Sequence, residues 1–303
     1  MHERIVIAEP VAEALAAGGP VVALETTVIT HGLPSPAGLR AAETLEADVR
    51  EGGAVPATIG VLDGRVRVGL TAAQLEQLGG ARGTVKVNLS NLAAVVASGM
   101  PGSTTVAATA FVASCVGIRV FATGGIGGVH RGSEQSGDVS GDLAALARIP
   151  IAVVCAGAKA VLDLGRTVQM LETLGVPVLG FGTDEFPAFY RRSSGLPVDR
   201  RFDDLGQLAL AVRVHFQLGI GSGVVVANPI PVEHELPREQ YDAALATALA
   251  EAAASDVRGR DVTPFLLGRL RELTEERSVF SNLGLLRHNA QVAAALAREL
   301  QEG

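Results

Sequence analysis

Short runs of apolar, mostly β-branched residues recur along this chain, separated by stretches with helical periodicity. The clearest runs cover residues 20–25, 57–61, 119–123, 151–155 and 223–227. Continuous apolar strands of this length are typical of a sheet that is covered on both faces. The alternation of strands and helices therefore predicts an α/β fold with a mainly parallel sheet and right-handed crossovers.

Helical patterns fill the intervals between the predicted strands. They cover residues 37–51, 72–78, 104–116, 143–148, 160–174, 205–217, 238–254 and 291–301. The segment 104–116 is apolar on all sides, which predicts a buried helix, and residues 65–68 alternate like an edge or hairpin strand. No long linker or repeat interrupts the pattern. Residues 1–303 are therefore predicted to form one domain, an α/β/α sandwich with a helical C-terminal extension.

Composition excludes several classes of protein. The net charge is −7, aromatic residues make up 4% and tryptophan is absent, so nucleic-acid binding is not expected. No apolar run approaches the roughly 18–20 residues that span a bilayer. Cys115 and Cys155 each lie in an apolar run, which predicts buried free thiols and a cytoplasmic protein.

The basic residues are distributed unusually, because only Lys86 and Lys159 are lysines among 25 basic side chains. Lysine can lose its proton and act as an amine nucleophile, whereas guanidinium cannot. Lys159 follows the predicted strand 151–155, and ligands of open α/β sheets bind at the carboxyl ends of strands. At the start of a predicted helix, burial and the helix dipole would lower its pKa, as in Schiff-base lysines. An ordinary solvent-exposed lysine remains the alternative.

A glycine-rich segment follows the predicted strand 119–123 and ends in His130 and Arg131. Closely spaced glycines let backbone amides approach a ligand, so contact with phosphate or substrate is predicted. The pattern fits neither the dinucleotide fingerprint nor the Walker loop. A flexible turn is the alternative.

Three carboxylates are candidates for chemistry. Glu25 ends the predicted strand 20–25, at the same sheet edge as Lys159, where partial burial would raise its pKa and let it deliver a proton. The alternative for Glu25 is an ion pair with arginine. Asp138 and Asp142 would share one face if their segment were helical, although helix capping also explains such residues. Any metal there would be a mostly hydrated Mg²⁺ or Mn²⁺ ion.

Taken in order, the sequence motifs resemble the pseudouridine-5′-phosphate glycosidase family, which includes indigoidine-synthase-A-like proteins. The resemblance covers nearly the whole chain. Its motifs are ALETT with THG, GAVPAT, TTVAAT, FATGGIGGVHRG, VVCAGAK, LET, DEFPAF, ANPIP and TPFLL, which begin at residues 23, 30, 53, 104, 121, 153, 171, 184, 227 and 263 respectively.

The resemblance implies a reversible reaction in which pseudouridine 5′-phosphate and water give uracil and ribose 5-phosphate. It makes Lys159 the nucleophile that forms an imine with the ring-opened sugar, and Glu25 the proton donor. It places Mn²⁺ on Asp138. The substrate contacts that it implies are Lys86, Val106, Ser140, Gly141 and Asp142.

The resemblance also implies an α/β/α core, a homotrimer and two further pocket residues, His130 and Asn282. The chain departs from the family pattern in two places. Asn88-Leu89-Ser90-Asn91 stands where a Ser-Arg-Arg-Asp-like stretch is expected, and Glu275-Glu276 replaces an expected Gly-Gly pair. Both departures bear on the choice of substrate more than on the lysine chemistry.

Two alternative functions remain open from the sequence. One is an aldolase-like enzyme that uses Lys159 to form a Schiff base with another phosphosugar; it would release an aldehyde fragment and no free base. The other is a non-catalytic phosphosugar-binding protein in which Lys159 pairs with phosphate. In that protein, Lys159→Arg would leave binding intact.

Overall fold

The computed structural model describes residues 3–33, 36–81, 83–255, 257 and 262–301. The strands in these ranges are β1 (Ile5–Ile7), β2 (Val21–Leu24), β3 (Val55–Leu62), β4 (Arg65–Val68), β5 (Val85–Val87), β6 (Gly102–Thr104), β7 (Val120–Ala122), β8 (Ala152–Cys155), β9 (Val178–Phe181), β10 (Arg200–Phe202) and β11 (Val224–Ala227). Each of the five predicted apolar runs forms a strand.

Within the described residues, the eleven strands form one sheet with the main order β1-β4-β3-β2-β7-β8-β11-β9-β10. Strand β3 pairs antiparallel with β4 and with β6, and the other pairs are parallel. The turn between β3 and β4 is Asp63-Gly64, both with positive φ (53° and 67°), as a two-residue hairpin of type I′ requires. The predicted hairpin strand at 65–68 is thus confirmed.

Most helices lie in the intervals between strands, and the last three follow β11. They are α1 (Glu9–Ala16), α2 (Ala37–Glu51), α3 (Ala72–Gly80), α4 (Leu92–Ser98), α5 (Val106–Cys115), α6 (Ser133–Ser136), α7 (Gly141–Leu146), α8 (Leu164–Thr173), α9 (Leu205–Gln217), α10 (Arg238–Ala254), α11 (Val262–Leu273) and α12 (Arg277–Glu299). None of the helices in the described ranges is long and apolar enough to cross a membrane.

Two helix boundaries differ from the prediction because polar side chains cap the helices. The predicted helix 160–174 begins only at Leu164, where the Asp163 carboxylate accepts the Arg166 backbone N–H at 3.0 Å. The predicted helix 143–148 begins at Gly141, after Ser140, whose hydroxyl accepts the Asp142 N–H. The predicted helix 291–301 is the second half of the longer α12.

The connections run in two directions from the centre of the sheet. The chain leaves β2 through α2 for β3 on one side, and it leaves β7 through α7 for β8 on the other. Right-handed crossovers in opposite directions place their helices on opposite faces, which agrees with α12 packing on α2 and α5 packing on α7. The predicted α/β/α architecture is confirmed, and the two directions diverge between β2 and β7, which is the switch point where such sheets bind ligands.

Two predictions about burial need correction. Helix α5 is not buried all round, because Phe111 and Cys115 lie four residues apart on an exposed side. Only Cys155 is a buried thiol, and burial raises its pKa to about 12.

The sequence departure at Glu275-Glu276 has a clear backbone consequence. Both residues have positive φ, 52° and 64°, immediately before α12. Glycine adopts this left-handed conformation freely, whereas other L-residues pay roughly 1–2 kcal/mol. Two glutamates therefore hold a turn that suits the Gly-Gly pair of the resembled family.

Candidate active site

A cavity of about 530 Å³ opens at the switch point, beside the carboxyl ends of β2 and β7. The titratable and amide side chains in its wall are Glu25, His31, Lys86, Lys159 and Asn282. They come from parts of the chain that lie far apart in sequence, and the sheet order brings them together. Four of them, Glu25, Lys86, Lys159 and Asn282, are residues that the sequence singled out.

Glu25 follows β2 directly and is 8% exposed. Its carboxyl group accepts a short hydrogen bond from the Thr123 hydroxyl, which follows the neighbouring strand β7. Burial raises the pKa of Glu25, and the positive charge of Lys159 only partly opposes this. The charged groups that act on Glu25 are Lys159, Asp142 and Lys86 rather than an arginine. Glu25 is therefore suited to hold and deliver a proton.

Lys159 lies in an irregular turn after β8, and this position corrects the prediction that it begins a helix. Helix α8 starts five residues later, so the helix dipole does not act on the amine. The turn is fixed by backbone hydrogen bonds: the Lys159 N–H donates to Ile126 O at 3.0 Å, and the Leu162 N–H donates to Lys159 O at 3.1 Å. The side chain enters the cavity that holds Glu25.

Lys86 reaches the same cavity from strand β5. It is partly buried, and its charge acts on Glu25, His31 and His130. A partly buried lysine in the cavity wall offers a positive charge to an anionic group of a ligand.

The glycine-rich loop after β7 packs tightly rather than forming a flexible turn. A Cβ at Gly125 would lie 2.7 Å from the Phe189 ring, and a Cβ at Gly127 would lie 2.6 Å from an Asp142 carboxylate oxygen. Several loop amides bind within the protein: Ile126 N–H donates to Gly157 O and Gly127 N–H donates to Asp142. The first amide holds the loop against the Lys159 turn and the second holds it against α7, so these two are not presented to an anion as the sequence suggested.

Asp142 joins this loop to helix α5. It is 4% exposed, and its two carboxylate oxygens accept the N–H groups of Ala107 at 2.9 Å and Gly127 at 2.8 Å. The Ala107 amide belongs to the first turn of α5, next to Val106, so Asp142 binds a helix N-terminus. Val106 is fully buried, and Ser140 and Gly141 immediately precede Asp142 at the start of α7. None of these four residues lines the cavity of Glu25 and Lys159.

Asp138 lies outside α7, so Asp138 and Asp142 do not share a helix face as the spacing suggested. It lines a neighbouring cavity with His130, whose Nδ1 is 3.9 Å from an Asp138 carboxylate oxygen. Within the described residues, no three His, Cys, Asp or Glu side chains form a group that could hold a metal. Asp138 fits only a mostly hydrated ion of the Mg²⁺ or Mn²⁺ type. Both carboxylate oxygens of Asp142 are already engaged.

His31 and Phe189 are among the cavity residues that received no role from the sequence. His31 is present in the THG motif and could have been suspected from it. Phe189 has positive φ (61°), which is strained for a bulky residue, and its N–H donates to Ala156 O at 3.0 Å beside the Lys159 turn. No local sequence pattern predicts this left-handed backbone conformation.

Fold and site together define an α/β protein with a buried acid and a lysine amine at its switch point. The family model of indigoidine synthase A-like proteins matches residues 10–299, and the chain belongs to this family. Curated relatives named pseudouridine-5′-phosphate glycosidase include one from Methylobacterium nodulans, 51% identical over 99% of this chain and 89% of the relative. Another from Geobacillus kaustophilus is 49% identical over 99% of this chain and all of the relative.

Solved structures agree with this assignment. The prealnumycin C-glycosynthase AlnA in complex with ribulose 5-phosphate has a TM-score of 0.93 and 36% identity, covering 100% of this chain and 98% of its own. An indigoidine synthase A-like protein from Thermotoga maritima has a TM-score of 0.89 and 36% identity, covering 99% and 98%.

Proposed function

We propose that this chain reversibly cleaves the carbon–carbon glycosidic bond of pseudouridine 5′-phosphate, giving uracil and ribose 5-phosphate. The observation that carries the proposal is the shared cavity of Lys159 and Glu25, in which burial favours the protonated acid. Two similarities support it. Relatives about 50% identical over nearly the full chain bear this name, and a structural neighbour is a C-glycosynthase with a bound phosphosugar.

The first step opens the sugar ring. The neutral amine of Lys159 attacks the anomeric carbon, the bond from this carbon to the ring oxygen breaks, and Glu25 gives its proton to that oxygen. Glu25 is then an ionised carboxylate and takes a proton from the new secondary ammonium group.

The second step breaks the carbon–carbon bond. The lone pair on the lysine nitrogen forms an imine with the anomeric carbon, and the departing ring carbon of the base receives the proton that Glu25 holds. Water then hydrolyses the imine, which releases ribose 5-phosphate and restores Lys159. The imine is the electron sink that a carbon leaving group requires, and a pair of carboxylates cannot supply it.

In this proposal, Lys86 neutralises the phosphate, while Val106, Ser140, Gly141 and Asp142 support the substrate site from α5 and α7 without lining the cavity of Glu25 and Lys159. Asp138 would hold a hydrated Mn²⁺ or Mg²⁺ ion, which would supply positive charge near the phosphosugar. Asp142 contributes by fixing both the glycine loop and the N-terminus of α5.

The test combines product analysis with reductive trapping. Incubation with pseudouridine 5′-phosphate should release uracil and ribose 5-phosphate. Incubation with ribose 5-phosphate and borohydride should leave a sugar adduct on the peptide that contains Lys159, identified by mass spectrometry. An aldehyde fragment without free uracil would favour an aldolase-like enzyme instead, and an unmodified Lys159 during turnover would refute the imine.

We further propose that the protein is a cytoplasmic homotrimer. Its two cysteines are free, which suits a reducing compartment. Helix α9 exposes Leu210, Val214 and Leu218 at four-residue spacing, an apolar surface of the kind that interfaces bury. Light scattering on the purified protein should give three times the chain mass of 31.1 kDa, and a monomer would contradict the trimer.

A further inference from the structure

His31 lies where two cavities meet. It belongs to a π-helical turn, Val28–Gly32, closed by the Leu33 N–H donating to Val28 O at 3.0 Å. Its side chain lines both the cavity of Glu25 and Lys159 and an adjoining cavity of about 600 Å³ that contains Tyr190. Such π-turns are rare and frequently occur at functional sites. The turn therefore presents an imidazole to the space in which the lysine must react.

A chain of two hydroxyl groups holds the imidazole of His31 through its Nδ1 atom. Thr30 Oγ1 is 2.6 Å from His31 Nδ1 and also 2.6 Å from Ser103 Oγ. Ser103 is fully buried in β6, paired in register with Lys86 of β5. The three side chains thus form one continuous hydrogen-bonded relay that leads from the sheet to the cavity.

The buried Ser103 hydroxyl decides which group donates and which accepts along this relay. The buried Ser103 hydroxyl needs an acceptor for its hydrogen, and its hydrogen-bond partner within the described residues is Thr30 Oγ1, so we assign Ser103 as the donor of this pair. The Thr30 hydroxyl then donates its own hydrogen to His31 Nδ1. Because Nδ1 is an acceptor, the neutral ring carries its proton on Nε2. Among the described residues, Nε2 has no protein partner, so its N–H is available to a ligand.

Burial, followed by the positive charge of Lys86, lowers the pKa of His31. The other charged groups around it are Lys159 and Glu25 in the first cavity and Arg271 in the second. The imidazole is therefore neutral near pH 7. A neutral imidazole N–H fixed in a closed site is an effective electrophile toward an oxygen that gains negative charge.

We propose that His31 is a further catalytic residue, which donates a hydrogen bond from Nε2–H to a carbonyl or hydroxyl oxygen of the phosphosugar as Lys159 attacks the anomeric carbon. This inference rests on the proposed function in that the ligand is a phosphosugar. It assigns Thr30 and Ser103 the task of fixing the tautomer. No proton is transferred by His31, so the proton balance with Glu25 is unchanged.

The tautomer can be observed directly by ¹⁵N NMR of the protein labelled at histidine. The chain has six histidines, and the signal of His31 is the one missing from His31→Gln. At pH 7, Nδ1 should give the shift of an unprotonated ring nitrogen and Nε2 that of a protonated one. A proton on Nδ1, or on both nitrogens, would overturn the inference.

The catalytic role is tested by the rate at which ribose 5-phosphate and borohydride label Lys159. His31→Phe keeps a planar ring but removes the donor, and should slow labelling by about 10²-fold, the usual cost of losing one such donor. His31→Gln keeps an amide N–H near the position of Nε2 and should recover part of this loss. Labelling of His31→Phe at the wild-type rate would overturn the role even if the tautomer is as expected.

A second pair of variants keeps the proposal testable if the His31 variants do not fold. Thr30→Val removes the relay hydroxyl without changing the size of the side chain, and Thr30→Ser keeps it. Labelling should be several-fold slower in Thr30→Val than in Thr30→Ser, with the Nε2–H signal retained only in Thr30→Ser; equal rates and signals would refute the relay. If the wild-type protein labels with ribose 5-phosphate but releases no uracil, the proposed function fails while these comparisons still decide the role of His31.

Discussion

The two ends of the sheet offer cavities of opposite character. The carboxyl end has the cavity of about 530 Å³ with Glu25 and Lys159. The amino end, beside the first residues of β2 and β7, has a larger cleft of about 850 Å³ with Arg119 and Arg213. The larger space lies at the amino end, so the two cavities have to be compared by the chemistry of their side chains.

The charged groups of the two cavities also differ in what they can do. Arg119 lies over the Phe216 ring, 5.6 Å from its centroid, and Arg213 donates to Glu299 O at 3.0 Å. These guanidinium groups stay charged and serve packing. At the carboxyl end, an amine lies beside a carboxyl group whose pKa is raised by burial, and both groups can exchange protons. The comparison therefore predicts that substitutions at the carboxyl end affect turnover and that those at the amino end do not.

The largest effect is expected from Lys159→Arg. The charge is kept but the nucleophile is lost, so uracil release should fall by roughly 10⁴–10⁶-fold, as for nucleophiles in other covalent enzymes. Uracil is measured by chromatography, and circular dichroism checks that the fold is intact. Turnover within tenfold of wild type would show that Lys159 only binds phosphate.

Glu25→Gln should reduce kcat by about 10²–10⁴-fold, the range for loss of a general acid. In the wild type, Glu25 must be protonated, so kcat should fall as pH rises through its raised pKa. This alkaline limb should be absent from the pH profile of Glu25→Gln. A profile identical in both proteins would assign the proton donor elsewhere.

Asp142→Asn should lower both stability and activity, because Asp142 does not line the cavity but holds the glycine-rich loop and the N-terminus of α5 in place. The amide offers one acceptor oxygen where the carboxylate accepts the N–H groups of Ala107 and Gly127. We expect a loss of about 1–3 kcal/mol in the free energy of unfolding and a fall of roughly tenfold in kcat/KM, since substrate positioning depends on the loop. Denaturant titration measures the first, and unchanged stability would contradict the structural role.

Ionisation of Glu25 should also lower the free energy of unfolding. Its folded-state pKa is raised, so the stability it contributes is present below its unfolded pKa and is lost as pH rises through the folded value. Glu25→Gln removes this penalty and should therefore raise Tm at pH 8 more than at pH 4. Calorimetry at the two pH values gives the comparison. An equal change in Tm at both pH values would mean that ionisation of Glu25 does not destabilise the folded protein.

The smallest effect is expected from Arg213→Ala at the amino end. The side chain packs in the cleft and bonds a backbone carbonyl, so kcat and KM should stay within twofold of wild type, with a modest loss of stability. A tenfold change in either constant would show that the amino-end cleft is coupled to catalysis and would remove the contrast between the two ends.

The sequence predicts the fold and the meeting of Glu25 with Lys159 because both depend on local patterns. Apolar runs identify the strands, and parallel strands place their following residues at one edge. The helix boundary after Lys159 could also be found, since Asp163 is a good N-cap residue that a search for periodicity alone passes over. The three-residue strands β5 (VKV) and β6 (GST) lack the continuous apolar run that identifies the equally short β7, so they cannot be recognised from their own sequence.

What the sequence misses depends on partners far along the chain. Asp142 binds the amide of Ala107, 35 residues away, and Ser103 connects to the His31 ring only through Thr30. Phe189 adopts its left-handed backbone because the surrounding structure requires it. Such features are set by packing, and no local pattern encodes them.

The order in which β2, β7 and β8 are joined has a consequence during synthesis. Glu25 leaves the ribosome long before Lys159. In the sheet, however, only β7 lies between β2, which precedes Glu25, and β8, which precedes Lys159. Helix α12, which packs across all three strands and brings Asn282 to the cavity, is made after both residues. A nascent or C-terminally clipped chain would hold the acid and the amine without the wall that encloses them, so enzymatic turnover in a lysate would report only on finished, intact polypeptides.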